Sequence, residues 1–374
     1  MREPAEVYFR HKHNRHPTRR TDPIRSAGNF LAGHPLHQEQ REAVLKVVLS
    51  PLACLQGGAG VGKTTTAKVI CDLWEQFGGN LVLTAIAGKA ALRLSRSTGR
   101  LAMTLARLRM QLEERESIEN RLDGDLTPTE RKRALAKLAK LAQINDCSLV
   151  LVDEASMLDL TSANALLRFM PDGARLVLVG DEAQLPPVGF GLIYHRLVSD
   201  DTITARLTVI HRQTEATGIP VVAAAVRDGV MPDLFQYCGP LDGVSFLEHD
   251  GPDLQSSIQK VWKQIRGVDS VAPLIVTATN KGDAGVNALN TLLHGVCHRV
   301  QGSQAPVVIV PIYQSRMLDP SWIYTAITRA ERQVVLIGSR EVLAYALAQP
   351  KAADRRMVGF TWDTMGGAHV GRRP

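Results

Sequence analysis

The chain is poor in aromatic residues, which make up 5% of its 374 positions. Any stacking on nucleobases must therefore rest on a few rings, and no KH loop or RNP-type aromatic cluster marks an RNA-binding module. Cysteine is scarce and scattered: the five thiols, Cys54, Cys71, Cys147, Cys238 and Cys297, are odd in number and never in C-x-x-C spacing. That pattern argues against a disulfide framework or a zinc site and for reduced thiols. No apolar run approaches the roughly 18 residues a membrane span needs, and the N-terminus has no apolar signal core. A soluble, cytoplasmic protein with no membrane partner is the expectation.

Against these absences, hydrophobic residues make up 45% of the chain, and the net charge is +7. The length suits two domains of ordinary size. The basic balance favours a polyanionic partner.

The most informative stretch is Leu52–Thr66, LACLQGGAGVGKTTT. Leu52–Leu55 is long enough for one buried parallel strand. Gly57, Gly62, Lys63 and Thr64 then satisfy G-x-x-x-x-G-K-[ST]. Glycines let the backbone curl so that the N–H groups of Gly58, Ala59, Gly60, Val61 and Gly62 can face phosphate oxygens. Lys63 adds a cation for the outer phosphates, the Thr64 hydroxyl can hold Mg²⁺, and Thr65 continues the turn. Lys63–Phe77 reads as a helix whose N-terminal dipole end meets the phosphates. The pattern predicts ATP and Mg²⁺ as cofactors.

Two further strands end in polar clusters. Leu149–Glu154, LVLVDE, delivers Asp153 as a candidate metal ligand and Glu154 as a candidate base. Side chains alternate along a strand, so the two acids need a bend to serve one site. Val177–Gly191, VLVGDEAQLPPVGFG, places Gln184 just before a stiff Pro186-Pro187. A neutral amide there can sense a γ-phosphate, and the prolines would transmit a small shift rather than absorb it.

Elsewhere, residues 1–33 are polar and basic, with Arg10, Lys12, Arg15, Arg19, Arg20 and Arg25, and read as a flexible arm. His37–Leu49 is an amphipathic helix with Gln40 near its start, an amide able to pair with an adenine edge. Leu105–Leu122 and Pro128–Ile144 read as a helical hairpin, the second opened by the capping box Thr127-Pro128-Thr129-Glu130. From about residue 205 a second series of strands is expected near 207–210, 245–247, 274–277, 307–310 and 333–337. Residues 350–374 read as a loose tail.

Taken together, Gly57–Thr65, DEAS at 153–156, Gly180–Pro187, His211-Arg212-Gln213, Val296–Gly302 and Tyr324–Arg329 stand in the order of superfamily-1 helicase motifs. The chain resembles the RecD-like branch over roughly Leu36–Leu347. The resemblance implies an α/β fold of two tandem RecA-like P-loop NTPase domains with parallel sheets, at 34–204 and 205–349, with a helical insertion at 105–145 in the first. It implies Gln40 as adenine reader, Lys63 and Thr64 on phosphate and Mg²⁺, Asp153 on the metal and Glu154 as base. By the same resemblance Gln184 couples the domains, and Arg212 and Arg329 reach the γ-phosphate from the second. Gln301-Gly302 would couple nucleotide to DNA. Lys89, Thr104, Arg107, Thr279, Asn280 and His298 are candidate DNA contacts.

The chain also departs from that branch. Ile86 and Ala87 replace proline and threonine, Ala106 replaces histidine, Gln304 replaces glutamate, and an SH3-like insert before His298 is missing. Two functions therefore stay open. One is a motor moving 5′→3′ on single-stranded or forked DNA, with a protein loading or recombination partner. The other is an ATP-switched assembly subunit with little unwinding. An RNA motor is a weaker third.

Overall fold

The computed structural model describes residues 23–209, 217–268, 272–293, 297–298, 304–356 and 358, with 23–25 and 297–298 through the backbone alone. Two parallel sheets of six strands each form the framework. The first contains β1 (Leu52–Gly57), β2 (Asn80–Ala85), β3 (Ala102–Thr104), β4 (Ser148–Asp153), β5 (Arg175–Gly180) and β6 (Thr204–Leu207). Its order is β3-β2-β4-β5-β1-β6. The second contains β7 (Phe235–Gln236), β8 (Gly243–Glu248), β9 (Leu274–Val276), β10 (Cys297–His298), β11 (Ala305–Ile312) and β12 (Ala330–Gly338). Its order is β10-β9-β11-β12-β8-β7.

Continuous apolar runs make these strands, because a parallel sheet is covered on both faces. Along β1, Leu52 and Cys54 enter one core while Ala53 and Leu55 enter another on the opposite face. β4 and β5 divide in the same way: Val150 and Leu178 lie on one side, Leu151 and Val179 on the other. In the second sheet Val308 and Val310 face one core, and Val307 and Ile309 the other. β5 pairs with both β4 and β1, so the carboxyl ends of these three strands lie side by side. Loops that are far apart in sequence thus converge on one edge, where open α/β sheets place ligands.

Several expectations need correction. Part of the supposed N-terminal arm is the helix Pro23–Ala32, which buries Ala27 and Leu31. Arg41 fixes the following turn by donating to the carbonyls of Leu31 and His34 at 2.6 and 2.7 Å. The strand expected near 207–210 lies earlier, as β6, and pairs with β1 in the first sheet. β3, not anticipated at all, is a three-residue edge strand, too short to show a period.

The helical hairpin is present, but its second helix is Pro128–Leu138 and stops short of Ile144. The Gln111 amide oxygen accepts the Ala142 N–H there, offering the backbone an alternative to another helical turn. The C-terminal segment, read as loose, is docked as far as it is described. Arg355 pairs with Asp319, Arg356 donates to the Pro187 carbonyl, and Val358 packs on the first core. Local polarity suggested solvent, but adjacent arginines find acceptors on both lobes.

Candidate active site

The phosphate-binding loop leaves β1 and ends at the helix Lys63–Gln76. Gly60 and Gly62 adopt φ of 85° and 86°, which glycine takes without steric cost. A Cβ on Gly57 would lie 2.6 Å from a Val61 methyl and 2.9 Å from the Leu207 carbonyl, so the loop is built tight against β6. Among the described residues, no side chain caps the Gly62 end of the helix. Its first N–H groups, the Lys63 ammonium and the Thr64 hydroxyl form a donor set of the kind that cradles polyphosphate. Lys63 donates to the carbonyls of Gly57 and Gly58, at 2.5 and 2.7 Å. Burial lowers its pKa, opposed by Asp181, Glu154 and Asp153.

The bend required at the end of β4 is there. Glu154 has φ 56° and ψ 38°, the only non-glycine positive φ among the described residues, and it turns its carboxylate to the side of Asp153. The two acids are 8% exposed each. Burial and the neighbouring Glu154 raise the pKa of Asp153. Burial also works against an ionised Glu154, but Arg329, Arg93 and Lys63 outweigh it and hold that pKa below the usual range. A carboxylate kept ionised beside a deep anion site fits a group that orients or polarises water.

The loop after β5 ties this edge to the second lobe. Asp181 accepts a 2.7 Å hydrogen bond from the Tyr324 hydroxyl. The Gln184 amide oxygen accepts one of 2.7 Å from Arg329, and the Leu185 N–H donates to the Thr325 hydroxyl at 3.1 Å. Ala183 itself belongs to the second lobe's core. Tyr324 and Thr325 lie on the helix Pro320–Ile327, all eight residues of which are buried. Arg329 follows it, 5% exposed, its pKa lowered by burial and raised by facing Glu154. Gly58–Gly60, Gly62–Thr65, Asp153, Glu154, Gln184, Gln304 and Arg329 line one cavity of about 260 Å³. A second cavity of about 460 Å³ shares Gly58, Ala59, Gly60 and Thr328 with it and extends past Thr208, Ile219 and Arg227.

Sequence reasoning missed three members of this site. Arg93, on the helix Gly88–Thr98, contacts Glu154 at 2.9 Å and Asp153 at 3.5 Å. Tyr324 was noted only as part of a motif, and its bond to Asp181 crosses between lobes. Gln56 accepts from the Glu182 N–H and the Tyr194 hydroxyl, linking the strand before the phosphate loop to the strand-end loop beside it. None carries a local signal, because each contact joins segments distant in sequence.

Other expected residues are placed less decisively. Gln40 is buried, and its amide oxygen accepts the His37 N–H in a turn of its own helix. Its neighbour Glu39 instead grips Thr208 and Val209 after β6. Lys89 and Arg107 are exposed at the starts of two helices, and the Thr104 hydroxyl caps the second by accepting from the Arg107 N–H. Thr279 and exposed Asn280 follow β9, where the Tyr313 hydroxyl bonds both the N–H and the hydroxyl of Thr279. His298 ends β10, and its side chain lies outside the described residues, as do Arg212, Gln301 and Gly302. The candidate DNA residues thus end or follow β2, β3, β9 and β10, at one side of each sheet.

Next to Tyr194, burial pushes the His195 imidazole down to about 4. The unfolded chain then binds a proton that the folded chain refuses between about pH 6.5 and 4, so stability falls as pH falls through that window. The loss is expected to total about 3 kcal/mol. Urea unfolding at pH 7.5 and 5 should show about 2 kcal/mol of it, and His195→Gln should flatten the difference. Equal slopes for both proteins would discard this attribution.

A family model described as an AAA domain matches residues 35–244, and one described as a UvrD-like helicase C-terminal domain matches 296–337. The ATP-dependent RecD2 DNA helicase of Deinococcus radiodurans is 30% identical over 288 residues, covering 75% of this chain and 36% of that protein. The RecBCD enzyme subunit RecD of Mycobacterium tuberculosis is 26% identical over 416 residues, covering 83% of this chain and 71% of that subunit. The solved Pif1 helicase from Candida albicans aligns with a TM-score of 0.43 at 16% identity, over 83% of this chain and 99% of that one. This chain therefore spans about a third of its RecD2 relative and more of the RecD subunit. With the phosphate loop, the paired acids and the glutamine–arginine link in one cleft, and the AAA domain model covering more than half its length, the chain belongs to that AAA domain family and is similar to the RecD and RecD2 helicases.

Proposed function

We propose that this chain is an ATP-dependent DNA helicase or translocase that moves 5′→3′ on single-stranded DNA. The observation that carries the proposal is the Gln184–Arg329 hydrogen bond at the cavity holding Lys63 and Glu154. A cation from one lobe and a base from the other then act on one triphosphate, and they do so only when the lobes meet. Lys63 and the helix N-terminus bind the β- and γ-phosphates, and Glu154 orients the attacking water. Arg329 stabilises charge on the transferring group. Thr64 and Asp153 would hold Mg²⁺, which neutralises phosphate charge when bound. The larger adjoining cavity suits the nucleoside.

Movement of lobe against lobe would be felt at Lys89, Thr104 and Arg107 on one sheet and Thr279, Asn280 and His298 on the other. These are the proposed contacts to a DNA strand, with forked duplex as a further substrate. Arg212, Gln301 and Gly302 are proposed to complete the nucleotide side. A protein loading or recombination partner is part of the proposal.

The second reading, an ATP-driven assembly switch, is favoured by Ala87, which starts the helix Gly88–Thr98 with no side-chain cap or hydroxyl to offer a phosphate. ATP turnover with and without oligo-dT, and strand displacement on forked DNA at low salt, separate the two. Strong stimulation with displacement is expected. Stimulation without displacement would favour the switch, and equal turnover with and without DNA would sink the motor.

A further inference from the structure

We propose that Arg93 is a positioning residue, through which the first lobe holds the Glu154 carboxylate in place for hydrolysis. The reasoning starts from the backbone. Glu154 occupies the left-handed region, which a non-glycine residue keeps only when its surroundings over-determine it. Its side chain must then be held in one direction, or the bend at the end of β4 would scatter the carboxylate. Arg329 does not hold it: that guanidinium donates to Gln184 and to the Thr325 carbonyl. Among the described residues the Glu154 carboxylate takes its hydrogen bond from Arg93, at 2.9 Å.

The same guanidinium nitrogen lies 3.5 Å from Asp153. Two adjacent buried carboxylates repel, and a fork-shaped cation set between them offsets that repulsion and fixes their separation. Arg93 reaches them from the helix that follows β2, the strand paired with β4, so its direction is set by the sheet. Among the described residues its Nε, which is buried, has no hydrogen-bond partner. An arginine kept only for packing would hold that group in water. The desolvation is accepted here because the head group is needed at the acids.

The inference rests on the ATP-hydrolysis reading above, and the test keeps the two separable. With the full chain and saturating oligo-dT, Arg93→Gln should lower kcat about tenfold or more, part of the roughly 10²- to 10⁴-fold that a well-placed base contributes. Binding of the fluorescent analogue mant-ATP should change little. Arg93→Lys, which keeps the charge but not the fork, should fall between. In single turnover, adding Arg93→Gln to Glu154→Gln should cause no further loss, because Arg93 acts through Glu154. An unchanged kcat, a loss confined to KM, or a further fall in the Glu154→Gln background would overturn the inference, the last two pointing to direct phosphate contact. Should Arg93→Gln bind no mant-ATP, the lysine variant decides: intermediate kcat with unchanged binding supports the role, and wild-type kcat overturns it. A wild-type chain that hydrolyses no ATP would remove both readings, whereas an active wild type indifferent to Arg93 removes only this one.

Discussion

Glu154→Gln should bind ATP and hold it, with kcat lowered about 10²- to 10⁴-fold. That corresponds to about 3–5 kcal/mol of lost transition-state stabilisation. The amide is nearly isosteric and still offers an oxygen to Arg93, so the bend at the end of β4 should survive. What disappears is the negative charge that orients and polarises water. Removing a carboxylate also relieves repulsion toward a bound triphosphate, so nucleotide affinity should be kept or rise. Lys63→Ala makes the useful contrast, because it deletes the cation of the phosphate loop and should weaken binding and hydrolysis together. Phosphate release in single turnover, beside mant-ATP binding, checks both. Ordinary turnover by Glu154→Gln would show that another group is the base.

Arg329→Ala should lower kcat by about 10³-fold or more, as loss of a transition-state arginine does in related chemistry. The guanidinium is nearly fully buried, and it spans the lobes through Gln184. Its deletion leaves the Gln184 amide oxygen without that donor. Communication should fail along with chemistry, so whatever turnover remains should respond little to DNA. Arg329→Lys should rescue poorly, since an ammonium cannot serve Gln184, the Thr325 carbonyl and a phosphate in one plane. The ratio of turnover with and without oligo-dT measures this. A variant that kept both its kcat and its DNA response would place the finger elsewhere, with Arg212 the next residue to test.

Much of the site was legible because its parts are local patterns. The phosphate loop needs glycines at set intervals, and the structure puts Gly60 and Gly62 in the left-handed region. LVLVDE announced a buried strand ending in acids, and alternation alone required the bend that Glu154 makes. Arg93 was not legible. Nothing in GKAALRLS marks one arginine as the partner of acids some sixty residues away, since that pairing depends on β2 lying beside β4. The C-terminal segment was misjudged for a related reason: Arg355 and Arg356 look like solvated charge until Asp319 and Pro187 are brought beside them. The strand expected near 207–210 lies at Thr204–Leu207 in the first sheet, because a short apolar run does not say which sheet it joins.

By itself, the order of residues determined the chemistry on offer: a phosphate cradle, two acids, an amide and an arginine, each carried by a strand or turn that short-range periodicity specifies. Which of these groups meet was decided by strand order. β5 lies between β4 and β1, and the loop leaving β5 buries Ala183 in the opposite lobe. Side-chain contacts across such distances arise from packing whole sheets, and packing is a property of the assembled chain rather than of any stretch of it.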